Sequence, residues 1–215
     1  MAKVVYVEVV SDHICPFCYV GKKHLEEAIK ACGDEVDVHV RWLPYMLKPD
    51  VPTEGIAVGK KSGGNKDKTL ANMGKKVGIK FTGKASKTPN TTMAHSLKHY
   101  ALEELGSEAQ TTMQEKLFKS HFTSGAFLGD VDVLVRIAKE CGLDGEQSRE
   151  YILSKEAAKS TQKELDKYKK LGISSVPSYV MNGSFALKGA ESPEAFVNAF
   201  RSCPGSKSWV WSNKK

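Results

Sequence analysis

Val4-Val5-Tyr6-Val7-Glu8-Val9-Val10 runs straight into Ser11-Asp12-His13-Ile14-Cys15-Pro16-Phe17-Cys18-Tyr19-Val20-Gly21. The first run is β-branched and aromatic and reads as a buried strand. Beyond the cysteines, Val20, His24, Ala28 and Cys32 recur at steps of four beside Leu25 and Ile29, which predicts a helix with one apolar face. Gly33 stands where a helix stop belongs. Pro16 suits the first helical turn, where a missing N–H costs nothing. Cys15 is therefore expected at the helix N-terminus, facing unpaired N–H groups and the positive end of the helix dipole. Thiols so placed ionise easily, with pKa values down to roughly 3.5–7.5. Cys18 follows one turn later on the same side, with Cβ atoms about 5–6 Å apart, a gap that a helix start can close into a disulfide. The pattern is a redox pair.

Zinc is the competing use of such a pair, but it normally takes four ligands. No second C-x-x-C or H-x(3–5)-H pair lies at zinc-module spacing, and Cys32, Cys141 and Cys203 are solitary. His95 and His99 sit at i and i+4 of one expected helix, without a Glu or third ligand beside them. No metal site is expected.

The 215 residues, 40% apolar and 27% charged, suffice for one large domain or one domain carrying an insertion. No run of about 18 apolar residues exists, so no membrane helix is expected. Met1-Ala2-Lys3 leads into the first strand without the apolar stretch of a signal peptide, which points to a cytoplasmic address. There the solitary cysteines would stay reduced, and a C-x-x-C disulfide would be transient and catalytic. The net charge of +7 is carried by lysine, with four arginines (Arg41, Arg136, Arg149, Arg201), and clustered arginine with interleaved aromatics is missing. Nucleic acid is thus not an expected partner, whereas anionic substrates gain a mild attraction.

Val36-Asp37-Val38-His39-Val40-Arg41-Trp42-Leu43 alternates as a strand with one buried face, completing a parallel β-α-β unit. Gly55 to Lys87 holds nine lysines against Asp67 alone. It reads as a solvated loop with a short helix near Lys68–Lys76, or more sharply as a basic rim drawing acidic thiols toward Cys15. From Asn90 to Leu171 the pattern is helical: a helix capped by Asn90 or Thr91, another over Glu108–His121, and one capped by Asp130 and stopped by Gly142. Shorter helices are expected over Glu146–Leu153 and Lys155–Leu171. Ser178-Tyr179-Val180-Met181 and Phe185-Ala186-Leu187 flank Asn182-Gly183, a strong hairpin signal. Ser192-Pro193 then opens a last helix, and the tail from Pro204, with Trp209 and Trp211, has no clear period.

With those elements in order, the chain resembles the DsbA-type oxidoreductases and, within them, the FrnE-like subgroup. Asp12-x-x-Cys15-Pro16-Phe17-Cys18-Tyr19-x-Gly21 matches the subgroup's opening motif, with Phe17 where Trp is common. Pro44-Tyr45-x-Leu47-x-Pro49-Asp50 with Gly55, and Asn90-Thr91 with Ala94-His95, resemble two further segments. Leu171-Gly172-Ile173 with Val176-Pro177 looks like the cis-proline loop, Ser175 replacing Gly, and Gly189-Ala190-Glu191 resembles a Gly-Ala-Gln.

The resemblance implies an α/β thioredoxin fold (β-α-β…β-β-α) formed by residues 1–48 and 172–215, with an all-helical insertion over 49–171. It implies thiol–disulfide exchange through Cys15 and Cys18, on protein or glutathione-like thiols. Pro16, Phe17, Val176, Pro177, His95 and Glu191 are the implied substrate contacts. No cofactor is implied, although glutathione could serve as second substrate, and no oligomeric state follows. Kappa-class glutathione transferases and 2-hydroxychromene-2-carboxylate isomerases are similar in layout but carry Ser, with no resolving cysteine, and form the alternative class.

Overall fold

The computed structural model describes residues 2–59, 65–170 and 172–204. Expectations for Lys60, Lys61, Leu171, Trp209 and Trp211 lie outside the described residues. Strand β1 (Lys3–Ser11) pairs in parallel with β2 (Val36–Pro44), and helix α1 (Pro16–Cys32) crosses between them. Two short strands, β3 (Ile56–Ala57) and β4 (Lys87–Thr88), make an antiparallel ribbon on either side of α2 (Asn65–Lys76). Next come α3 (Thr92–Leu105), α4 (Ser107–Lys119), α5 (Val131–Glu140), α6 (Gly145–Leu153) and α7 (Lys155–Lys170). The chain closes with β5 (Ser178–Met181), β6 (Ser184–Lys188) and α8 (Pro193–Ser202). The main sheet has the order β2-β1-β5-β6, with β5 antiparallel to both neighbours. This is the expected thioredoxin architecture.

Local signals act as anticipated. Asp130 accepts from the N–H groups of Asp132 and Val133 at 2.8 and 3.3 Å, satisfying two free donors of α5. Asn182 (φ 47°) and Gly183 (φ 82°) both turn left-handed, as a two-residue hairpin between right-twisted strands requires.

Val5, Val7 and Val9 of β1 pack with Leu25 and Ala28 of α1 and Phe196 and Phe200 of α8 on one face of the sheet. On the other face, Val10 and Leu43 meet Tyr168 of α7. Helices α3 to α6 share a core of their own around Leu97, Met113, Leu117, Leu134, Ile137 and Ile152.

Two departures from the sequence reading matter. The alternation of residues 36–43 does not leave Arg41 in water. Helix α7 covers it, and it pairs with Glu164 at 3.3 Å. The ribbon β3-β4 was not anticipated, because two-residue strands have no period to read. The open edge of β2 is closed by a side chain: Gln110 accepts from Trp42 N–H at 2.8 Å and donates to Trp42 O at 2.9 Å, replacing the missing strand.

Candidate active site

Strand β1 delivers the chain to the C-terminal edge of the sheet, where a turn at Asp12–Ile14 precedes α1. Cys15 is the N-cap of that helix in extended conformation (φ −93°, ψ 109°), with Pro16 in the first turn. The N–H of Cys18 donates to Cys15 Sγ at 3.3 Å, the bond a cap side chain makes to the third helical residue. As a thiol, Cys15 donates to the carbonyl of Val176 at 3.8 Å. The Val176–Pro177 peptide bond, whose Val176 lies 161 residues from Cys15 in sequence, is cis and lies against this turn.

The two sulfurs differ in their surroundings. A hydrogen bond from the Cys18 thiol holds the Cys15 pKa below the ordinary thiol value. Burial opposes this, and the N–H groups of Cys18 and Phe17 reinforce it. Burial pushes Cys18 well above that value, and its bond to Cys15 and the Cys15 charge push the same way. Cys15 is therefore the more readily ionised sulfur and Cys18 the one held protonated.

Around the pair, Pro16 is half-buried, Phe17 is 48% exposed, and Pro177 is buried against α1. A Cβ at Gly21 would collide with Tyr179 Oη and stand 3.3 Å from Pro177 Cγ. Only glycine lets the helix and this loop come so close. Glu191 is exposed, and its carbonyl meets His24 Nδ1 at 2.7 Å, tying the loop before α8 to α1.

His95 is placed differently from the sequence reading. It is 1% exposed and sits behind the cysteines, out of reach of a substrate, with Nε2 2.9 Å from Tyr45 O and 3.6 Å from Asp12 Oδ1. His99, expected on the same helix, instead faces Glu103 at 3.3 Å, so the two do not form a pair.

That rear layer went unread in the sequence. Asp12, fully buried, accepts from Leu47 N–H at 2.7 Å. His13 lies tilted against His95 with centroids 4.3 Å apart and meets Gln114 Nε2 at 3.2 Å. Burial holds both imidazoles below their ordinary pKa, so both are neutral near pH 7. Lys98 belongs to the same layer and is 1% exposed. The signal was present: Ala94, Leu97 and Ala101 mark the inner stripe of α3, and Lys98 shares it.

The insert also grips α1 from the side. Tyr19 stacks on Phe118 with centroids 4.9 Å apart, and its hydroxyl donates to Glu115 at 2.8 Å. Lys22 and Lys23 each lie 2.9 Å from the other Glu115 oxygen, and both also pair with Glu26. Beside Ile14 opens a cavity of about 540 Å³, lined by Leu47, Phe81 and Phe122 with Lys48 and Lys87 among the walls. Among the described residues no helix is long and apolar enough to cross a membrane.

The family model of the DSBA-like thioredoxin domain matches residues 6–201. The uncharacterized protein YwbO of Bacillus subtilis (strain 168) is 32% identical over 200 residues, covering 91% of this chain and 95% of its own. A probable DsbA oxidoreductase from Streptomyces coelicolor is similar in structure with TM-score 0.82 at 22% identity, over 96% of this chain and 94% of that one. The cytosolic disulfide reductase DsbM from Pseudomonas aeruginosa, solved with GSH, reaches TM-score 0.63 at 14% identity, over 92% and 96% of the two chains. At these identities the two structures speak for the fold alone.

Proposed function

Because the chain belongs to the DSBA-like thioredoxin domain family and holds an ionisable Cys15 above a protonated Cys18, we propose that it is a thiol–disulfide oxidoreductase. The observation that carries the reading is the convergence of the Cys18 N–H and thiol on Cys15 Sγ. In the reducing direction the Cys15 thiolate attacks a substrate disulfide, forms a mixed disulfide and expels one substrate thiolate. Cys18 then attacks Cys15 Sγ, the second substrate thiolate leaves, and the protein keeps the disulfide. The oxidising direction is the reverse: a substrate thiolate attacks Cys15 of the closed pair and Cys18 departs.

The open side of Cys15 is where a substrate lies. Pro16, Phe17, Val176 and Pro177 border it, and the Val176 carbonyl faces the same space as the reacting sulfur. Glu191 lies on the exposed flank across α1. The cavity beside Ile14, apolar with two lysines at its walls, suits thiols that carry apolar and anionic groups. A glutathione-like second substrate is consistent with that charge, and the similar DsbM structure was solved with GSH. No metal or organic cofactor takes part. A cytoplasmic location and FrnE-like membership complete the proposal. They rest on the free solitary thiols, on the cytosolic DsbM neighbour, and on the motifs around Cys15 and Val176-Pro177.

Insulin disulfide reduction by dithiothreitol tests this. The unmodified protein should accelerate it, Cys15→Ser should abolish the acceleration, and Cys18→Ser should trap mixed disulfides visible by mass. Glutathione conjugation to an aryl halide that survives Cys18→Ala, without disulfide exchange, would replace this reading with the transferase class.

A further inference from the structure

Tyr45 follows directly on β2 and is bonded in three directions. Its N–H donates to Ser11 O at 3.1 Å, where β1 turns toward the cysteines. Its carbonyl stands 2.9 Å from His95 Nε2 of α3. Its phenol reaches the loop before β5 and donates to Ser174 O at 3.0 Å. This last bond is exposed to water, which can replace it, so its net worth to folding is small. What it supplies is position.

Ser174 belongs to the loop that brings Val176 to the cysteines, and four successive carbonyls of that loop each have their own donor. Ser174 O takes the Tyr45 hydroxyl, and Ser175 O takes Ser178 Oγ at 2.7 Å. Val176 O takes the Cys15 thiol at 3.8 Å, and Pro177 O takes the Gly189 N–H at 2.8 Å. Three of these donors stand on or directly beside strands of the main sheet: Tyr45 after β2, Ser178 in β5 and Gly189 after β6. The fourth, Cys15, is the one that the chemistry removes, since neither a thiolate nor a disulfide sulfur has a proton to give. Val176 O then keeps its place beside the reacting sulfur through the other three.

Resting on the oxidoreductase reading, we propose that Tyr45 is a positioning residue for disulfide exchange, acting through Ser174 to keep the Val176 carbonyl against Cys15 Sγ. Two consequences follow if the phenol is lost and the loop loosens. The Cys15 thiol loses its acceptor, which removes a bond made only by the protonated form and lowers the Cys15 midpoint. Cys18 and Asp12, the titratable side chains that also act on Cys15, lie in the β1–α1 turn and are untouched by the change. A polypeptide substrate, meanwhile, must order the loop as it binds, which raises KM and leaves kcat alone.

Tyr45→Phe keeps the ring and removes the bond, and two measurements on the full-length protein read the result. Iodoacetamide alkylation across pH should show the Cys15 midpoint lowered by about half a unit. Reduction of an apolar peptide disulfide, with dithiothreitol recycling the protein, should show KM raised about threefold, the worth of one such hydrogen bond, with kcat unchanged. Values of both equal to those of the unmodified protein overturn the proposal. A change in one without the other overturns it too, since both must come from the same displacement. A Tyr45→Phe protein that fails to fold, or that loses kcat and stability to urea at unaltered KM, overturns it because the phenol would then serve the fold alone. Absence of exchange in the unmodified protein would overturn the oxidoreductase reading itself, whereas exchange indifferent to Tyr45→Phe would overturn this inference alone.

Discussion

The front and the back of the first turn of α1 are two different media one helical turn apart. In front, Cys15 meets backbone N–H groups, the Val176 carbonyl and the half-exposed Phe17. Behind, Cys18 is 1% exposed and adjoins the layer of Asp12, His13, His95 and Lys98. The front is built mostly from neighbours in sequence and from the sheet. The back is completed by α3 and α4, elements of the helical insert. Burial is the largest cause of the raised Cys18 pKa, and the partners that act on it beyond burial, Cys15, Asp12 and Ser11, belong to the β1–α1 turn.

The sharpest way to break this contrast is to remove the charge from the back. Lys98 has its folded pKa lowered from 10.5 to about 7 by burial. Between those values the unfolded chain binds the proton and the folded chain does not, so stability rises with pH across that window and carries no such slope below it. Lys98→Met deletes the penalty. Urea unfolding near neutral pH should show it more stable by on the order of 3 kcal/mol, with the gap closing toward pH 10. A Met variant less stable than the parent at neutral pH would mean that the amine is well paired after all. Closing the front is the smaller perturbation. Gly21→Ala puts a methyl against Tyr179 and Pro177 while gaining helix propensity. The net loss in urea unfolding should be about 1–2 kcal/mol, accompanied by slower mixed-disulfide formation. An unchanged rate would show that the Pro177 loop does not need to sit so close.

What could be read from the sequence follows the same division. Cys15, Pro16 and Cys18 declare themselves through spacing of three or less, and the Asn182-Gly183 hairpin and the Asp130 cap are equally local. The proline loop required the resemblance, since its Val176 lies 161 residues from Cys15. His95 was picked out as a substrate contact through the resemblance, whereas the structure buries it against Tyr45 and Asp12, because a motif names a residue and not what its helix face meets. Arg41 was expected in water because alternation within one strand says nothing of α7 crossing over it. Lys98 was not singled out, although Ala94, Leu97 and Ala101 put it on the inner stripe. Gln110 closing the edge of β2 has no sequence signature at all.

The central claim is the asymmetry of the two sulfurs, and alkylation of the reduced protein by iodoacetamide across pH, with the modified residue mapped by mass, tests it directly. The account predicts that Cys15 reacts first, with a midpoint below the ordinary thiol value of 9.0, while Cys18 stays unmodified through neutral pH. Cys18 reacting as fast as Cys15 at neutral pH, or a Cys15 midpoint at or above that value, would contradict it.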